Sequence, residues 1–141
     1  VQEVIDLLND KKVSDFIRVL AIISAVCSAY HWYTENMIFF KRIKVFDNID
    51  EDAIGLSGAK FDAVGTIIGL YLLYLNCSEE EDRQKLHIQK VKFFGMVCDL
   101  LHALDDCHAM NKLIGRNLNS GEYGIIGFCS AAATLYRCWN A

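Results

Sequence analysis

Two stretches of sixteen residues, 19–34 and 63–78, contain no Asp, Glu, Lys or Arg. A chain with such runs has to hide them in a protein core or in a bilayer, since neither can stand extended in water. A third run, 123–136, has fourteen residues and lies near the C-terminal end. Buried core segments usually run to about 10–14 apolar residues and spanning helices to about twenty, so these lengths leave both a soluble bundle and a membrane-embedded one open. The flanking Trp32, Tyr33, Tyr136, Arg137 and Trp139 are of the kind that sits at membrane interfaces. Basic residues occur beside more than one run (Lys41, Arg42 and Lys44; Lys85, Lys90 and Lys92), so charge asymmetry assigns no orientation.

Proline is absent from all 141 residues and 53% of them are hydrophobic, which excludes linkers, collagen-like repeats and disordered tails and favours helices. The reading is an all-α fold of four to five helices, one helical domain over 1–141, membrane-associated and closing with a hydrophobic C-terminal helix. Residues 1–20 alternate apolar and charged positions at helical spacing, with a break near Asn9 and Asp10. A long helix is expected over about 12–45. The segment FDNIDEDAIGLSG, with Gly55 and Gly58, predicts the connection to the next helix. Ser78 followed by Glu81 matches a capping box, placing a helix start near Ser78 and its end near Leu113. IGRNLNSGEYG is the last loop, and YGIIGFCSAAATLYRCWNA the last helix.

Fourteen basic against eighteen acidic residues, a net charge of −4, argue against a nucleic-acid footprint. The six cysteines lie far apart in apolar surroundings and read as reduced residues of a cytosol-facing protein. The chain begins at Val1 without a basic n-region or a small-residue cleavage site, which fits the C-terminal part of a longer protein. The densest group of chemically capable side chains is CDLLHALDDCH; Cys98, His102 and either Asp105 or Asp106 stand three or four apart on one helix face, spacing at which a metal can be shared, with Cys98, His102 and Asp106 as the set put forward. They are at most three ligands with no second motif, so they form a weak metal candidate. The expectation is no catalytic residue and no cofactor. GLSG and GEYGIIG lack the Lys-Ser/Thr pair and the preceding strand of a phosphate loop. Lys85, Lys90 and Lys92 suit an anionic membrane surface or a solvated helix edge equally.

Two segments carry a resemblance. The first is AVCSAYHWYTENMIFFKRIKVF, 25–46, in which a polar residue precedes an aromatic cluster and a basic pair. The second runs from Val91 to Trp139, a Cys-Asp-Leu helix followed by a loop and a glycine-bearing apolar stretch with Gly124-Ile-Ile-Gly127. Together, in order and separation, they resemble the peroxisomal biogenesis factor 11 (peroxin-11) family. The resemblance implies a non-enzymatic protein of the peroxisomal or glycosomal membrane, with termini toward the cytosol, that promotes membrane elongation, division and proliferation of the organelle. It further implies membrane lipid, a second copy of the chain and the organelle fission machinery as partners. The residues expected at the membrane interface are Tyr30, Trp32, Phe39, Phe40, Lys41 and Arg42. Those expected in helix packing are Gly121, Gly124, Gly127, Ala131 and Ala132, with Ala133 beside them.

Overall fold

The structure is a computed structural model that describes residues 14–46 and 48–140; the expected amphipathic segment before Ser14 lies outside them. The fold is all-α, with five helices and no strand among the described residues. They are α1 (Asp15–Arg42), α2 (Glu51–Glu79), α3 (Arg83–Asp106), α4 (Ala109–Ile114) and α5 (Ser120–Asn140). The chain divides into two units, Val1–Ile68 and Gly69–Ala141, with the division inside α2.

Local signals explain the helix ends. Ser14 caps α1 by accepting from the Ile17 amide at 3.4 Å, with Asp15 in the first turn and Lys41 and Arg42 in the last, where each charge opposes the helix dipole. The C-terminus of α1 closes with the Val45 amide on the Phe40 carbonyl (2.9 Å) and the Lys44 amide on the Lys41 carbonyl (2.8 Å). This is a Schellman closure whose left-handed position is Lys44, at φ 60°, rather than a glycine. Gly55 and Gly58 therefore lie inside α2, not in the connection expected there. Asp50 starts α2 by accepting from the Ala53 amide at 3.1 Å, and Arg42 joins Glu51 across the connection at 2.6 Å.

The expected start at Ser78 is also displaced. α2 continues through Glu79, and the Ser78 hydroxyl donates back to the Leu75 carbonyl at 2.7 Å. Asp82 is the cap of α3, accepting from the Gln84 amide at 2.9 Å. Nor does that helix reach Leu113: it stops at Asp106, and His108 takes a left-handed conformation (φ 59°) before α4 begins. The capping box is found instead at α5. There the Asn119 side chain accepts from the Glu122 amide at 2.9 Å while Glu122 accepts from the Asn119 amide at 3.0 Å.

In the first unit α1 and α2 form an antiparallel hairpin: Ile38 meets Gly55, Thr34 meets Gly58 and Cys27 meets Gly65. In the second, α3 and α5 pair antiparallel through His87 with Tyr136, Gly95 with Ala133, Asp99 with Ser130 and His102 with Tyr123.

Candidate functional site

The seam of the first hairpin is made mostly of small and polar residues, with Ile38 buried toward its connecting end. Thr34, 1% exposed, is the most deeply buried large side chain of the described residues, and Ala21 and Cys27 are buried with it. Gly58 is required opposite Thr34, because a Cβ there would lie 2.2 Å from the Thr34 hydroxyl oxygen. Seven residues on, a Cβ at Gly65 would lie 2.9 Å from Cys27 Cβ. Polar groups cross the same seam: Ser24 donates to the Gly65 carbonyl at 3.0 Å, and the Tyr30 and Ser57 hydroxyls share a hydrogen bond at 3.0 Å.

Large apolar side chains point the other way. On α1 these include Phe16 (65% exposed), Val19, Ile22, Ile23, Val26 and Trp32 (69%), and on α2 they include Val64, Ile67, Tyr71 and Tyr74. Both helices are long and apolar enough to cross a membrane, over Asp15–Arg42 and Glu51–Ser78. Only 11% and 17% of their most apolar stretches are buried. Charged residues gather toward the connecting end of the hairpin, at Glu35, Lys41, Arg42, Lys44, Asp50, Glu51, Asp52, Lys60 and Asp62. Within the first unit the two helices run alongside each other from Tyr30 on Phe61, ring centres 4.4 Å apart, to Ser24 on the Gly65 carbonyl.

Of the expected interface residues, Trp32, Phe39, Phe40 and Arg42 are exposed and Lys41 is half-buried. Tyr30 turns inward to Phe61 and Ser57, because its hydroxyl finds a partner there. The outward series Phe16, Val19, Ile22, Ile23 and Val26 went unrecognised among the interface residues, though its three- and four-residue spacing is present in the sequence.

The α3–α5 pair has a different chemistry. Asp99 accepts from Ser130, and the His102 ring stacks on Tyr123 at 4.0 Å while its Nε2 meets the Tyr123 carbonyl at 3.0 Å. The Tyr123 hydroxyl donates to Asp106 at 3.2 Å. Cys98 is buried; burial first, then Cys129 and Asp99, push its thiol above the ordinary range. His102 and Asp106 are thereby drawn into helix pairing with α5, and among the described residues no three His, Cys, Asp or Glu side chains are grouped to hold a metal. All six cysteines are free.

Among the expected packing residues, Gly127 does pack, since a Cβ there would lie 3.1 Å from the His102 ring. Ala133 is buried and would meet a Cβ at Gly95 at 3.2 Å. Gly124 has nothing within 4 Å of its Cβ position, Gly121 is near only its own Asn119, and Ala131 and Ala132 are exposed. These four face away from α3. Lys85 and Lys90 are exposed and Lys92 is half-buried. Compared with known proteins, the chain matches no family model, no curated protein and no solved structure.

Proposed function

We propose that this chain is a non-catalytic integral membrane protein that inserts its α1–α2 hairpin into a bilayer and deforms it. The observation that carries the reading is the inverted layering of that hairpin. A soluble helix pair buries its large apolar residues and exposes its polar ones. Here Thr34, Ala21, Cys27, Gly58 and Gly65 are buried, and Phe16, Ile22, Val26, Trp32, Ile67 and Tyr71 face outward. Small residues at the contact, hydrogen bonds across it and large apolar residues outside are how helices pair in lipid.

The length of the runs supports deformation as well as insertion. Sixteen uncharged residues span about 24 Å as helix, against a hydrocarbon core of about 30 Å. The helices as a whole are long enough to cross, and where their uncharged core falls short of the hydrocarbon thickness the bilayer thins or flanking side chains snorkel. Taken with the resemblance of 25–46 and 91–139 to the peroxin-11 family, the reading extends to the peroxisomal or glycosomal membrane. There the chain promotes elongation and division through self-association and recruitment of the fission machinery, with termini toward the cytosol.

The test is alkaline carbonate extraction of the tagged protein from cells, with peroxisome number and shape imaged alongside. Retention in the pellet with elongated or multiplied organelles is the expected result. Release into the supernatant overturns insertion and leaves a soluble helical interaction module; retention with unchanged organelles overturns the peroxisomal role alone.

A further inference from the structure

The outward face of α5 repeats more strictly than an apolar surface facing lipid requires. Gly121, Ile125, Phe128, Ala132, Leu135 and Trp139 are spaced by four, three, four, three and four residues, and all six are exposed. Phe128 is 73% exposed, Leu135 69% and Trp139 87%. Of the residues that meet α3, Tyr123, Gly127, Ser130 and Ala133 lie on the opposite side, and Tyr136, whose hydroxyl reaches His87, flanks the seam. A 3.5-residue repeat is the seam of a helix that packs along another helix. Beside the seam stand Gly124, Ala131 and Cys138, small enough for close approach of a second backbone.

We propose that α5 pairs antiparallel with α5 of a second copy of this chain. Side-chain size along the seam selects that partner and that direction. An antiparallel pair centred near residue 130 sets Gly121 against Trp139, Ile125 against Leu135 and Phe128 against Ala132. Large residues then face small ones in two of the three layers, and the third joins two aliphatic residues of similar volume. A parallel pair would set Phe128 on Phe128 and Ala132 on Ala132, one layer crowded and the next empty. The antiparallel arrangement also opposes the two helix dipoles. Lipid is a poorer occupant: α5 is not among the helices apolar and long enough to span. An in-plane helix carries basic residues on its polar face, whereas α5 carries Glu122 and the single basic residue Arg137.

The pairing names the surface for the self-association in the membrane-shaping reading, and rests on that reading for its setting. Its test uses the full chain in phosphatidylcholine vesicles, with Cys77, Cys107, Cys129 and Cys138 replaced by Ser. Ala131 lies one residue from the centre of the antiparallel pair, where its two copies stand two residues, about 3 Å, apart along the axes. Copper-phenanthroline oxidation of the Ala131→Cys chain is expected to shift most of it from 16.0 kDa to twice that mass. Trp139→Cys is expected to stay monomeric, because the two copies of position 139 stand eighteen residues, about 27 Å, apart. Adding Phe128→Glu to Ala131→Cys should abolish the dimer while far-UV circular dichroism keeps the helix content. No dimer above the Cys-depleted parent overturns the pairing, and equal cross-linking at 139 overturns its direction. Carbonate washing of the same vesicles separates the two readings: a retained chain without cross-links overturns the pairing alone, and a released but cross-linked chain overturns insertion alone.

Discussion

The two hairpins solve the same packing problem with opposite materials. Between α1 and α2 the seam is small and nearly uncharged, and the backbones approach where Gly58 and Gly65 leave no room for a Cβ. Between α3 and α5 the seam is a ladder of larger polar groups, with Asp99, His102, Asp106, Ser130 and Tyr123 satisfying one another. Where lipid supplies no hydrophobic force to press helices together, contact has to come from close backbones and a few hydrogen bonds. Where water competes, stacked rings and charged partners earn their place by satisfying each other's polar groups. In the proposed reading the first hairpin is the membrane element, and the second carries the recognition surface.

The largest break in this comparison comes from one substitution made in both hairpins. Gly58→Ala is expected to destabilise the first by about 1–3 kcal/mol, because the new methyl group overlaps Thr34 and a packed seam has nowhere to shift. Thr34→Ala on the same chain should restore part of the loss. Gly124→Ala meets open space and should stabilise α5 by up to about 1 kcal/mol through helix propensity alone. Thermal unfolding in detergent micelles reads both. Changes of the same sign would mean that Gly58 is not held by close packing.

Next in size are the polar cross-links. His102→Ala removes a stacked ring and a hydrogen bond to the Tyr123 carbonyl, a loss of about 1–2 kcal/mol. Ser24→Ala removes the single bond to the Gly65 carbonyl, expected at about 0.6 kcal/mol, the average for a hydrogen bond between helices in lipid. Measured in one detergent, a larger effect at Ser24 than at His102 would reverse the assignment of the two seams.

The helices themselves were legible, because the uncharged runs end abruptly at Arg18 and Glu35 and at Asp62 and Glu79. Their contacts and breaks were not. Glycine next to acidic and polar residues reads as a turn, yet Gly55 and Gly58 serve the approach of α1, and their role appears only once Thr34 and Gly58 are seen opposite each other. Ser78 with Glu81 and Asn119 with Glu122 fit the same capping pattern; α2 runs past the first, whose hydroxyl donates back to the Leu75 carbonyl, and α5 starts at the second. The break at Cys107 and His108 has neither glycine nor proline to announce it. Cys98, His102 and Asp106 share a helix face as read, but a face suited to a metal is equally suited to a neighbouring helix, and α5 takes it. On α5 the small residues were visible, while which of them faced inward depended on α3.

The smallest expected effect concerns the start of α5, for which the first hairpin offers only a shorter arrangement. Arg116 grips Glu122 with two hydrogen bonds of 2.6 and 2.7 Å, and Glu122 also accepts from the Asn119 amide. The Arg116 hydrogen bonds foremost, with the Asn119 amide after them, hold the Glu122 carboxyl down at about 2 from its ordinary 4.5. A carboxyl depressed in the folded state stabilises above its unfolded value and loses that contribution as the pH falls through the folded one. The cap of α5 should therefore be intact above pH 4.5 and fail progressively toward pH 2. Both partners are solvent-exposed, so the consequence is local fraying, not unfolding of the α3–α5 pair. Glu122→Gln keeps the capping geometry but cannot titrate, and its amide exchange at the first turn of α5 should be flat across that window while the parent's rises. An equally acid-sensitive Gln variant would show that the opening starts elsewhere, with Asp105, which accepts from the Leu118 amide at 2.8 Å, as the next carboxylate to replace.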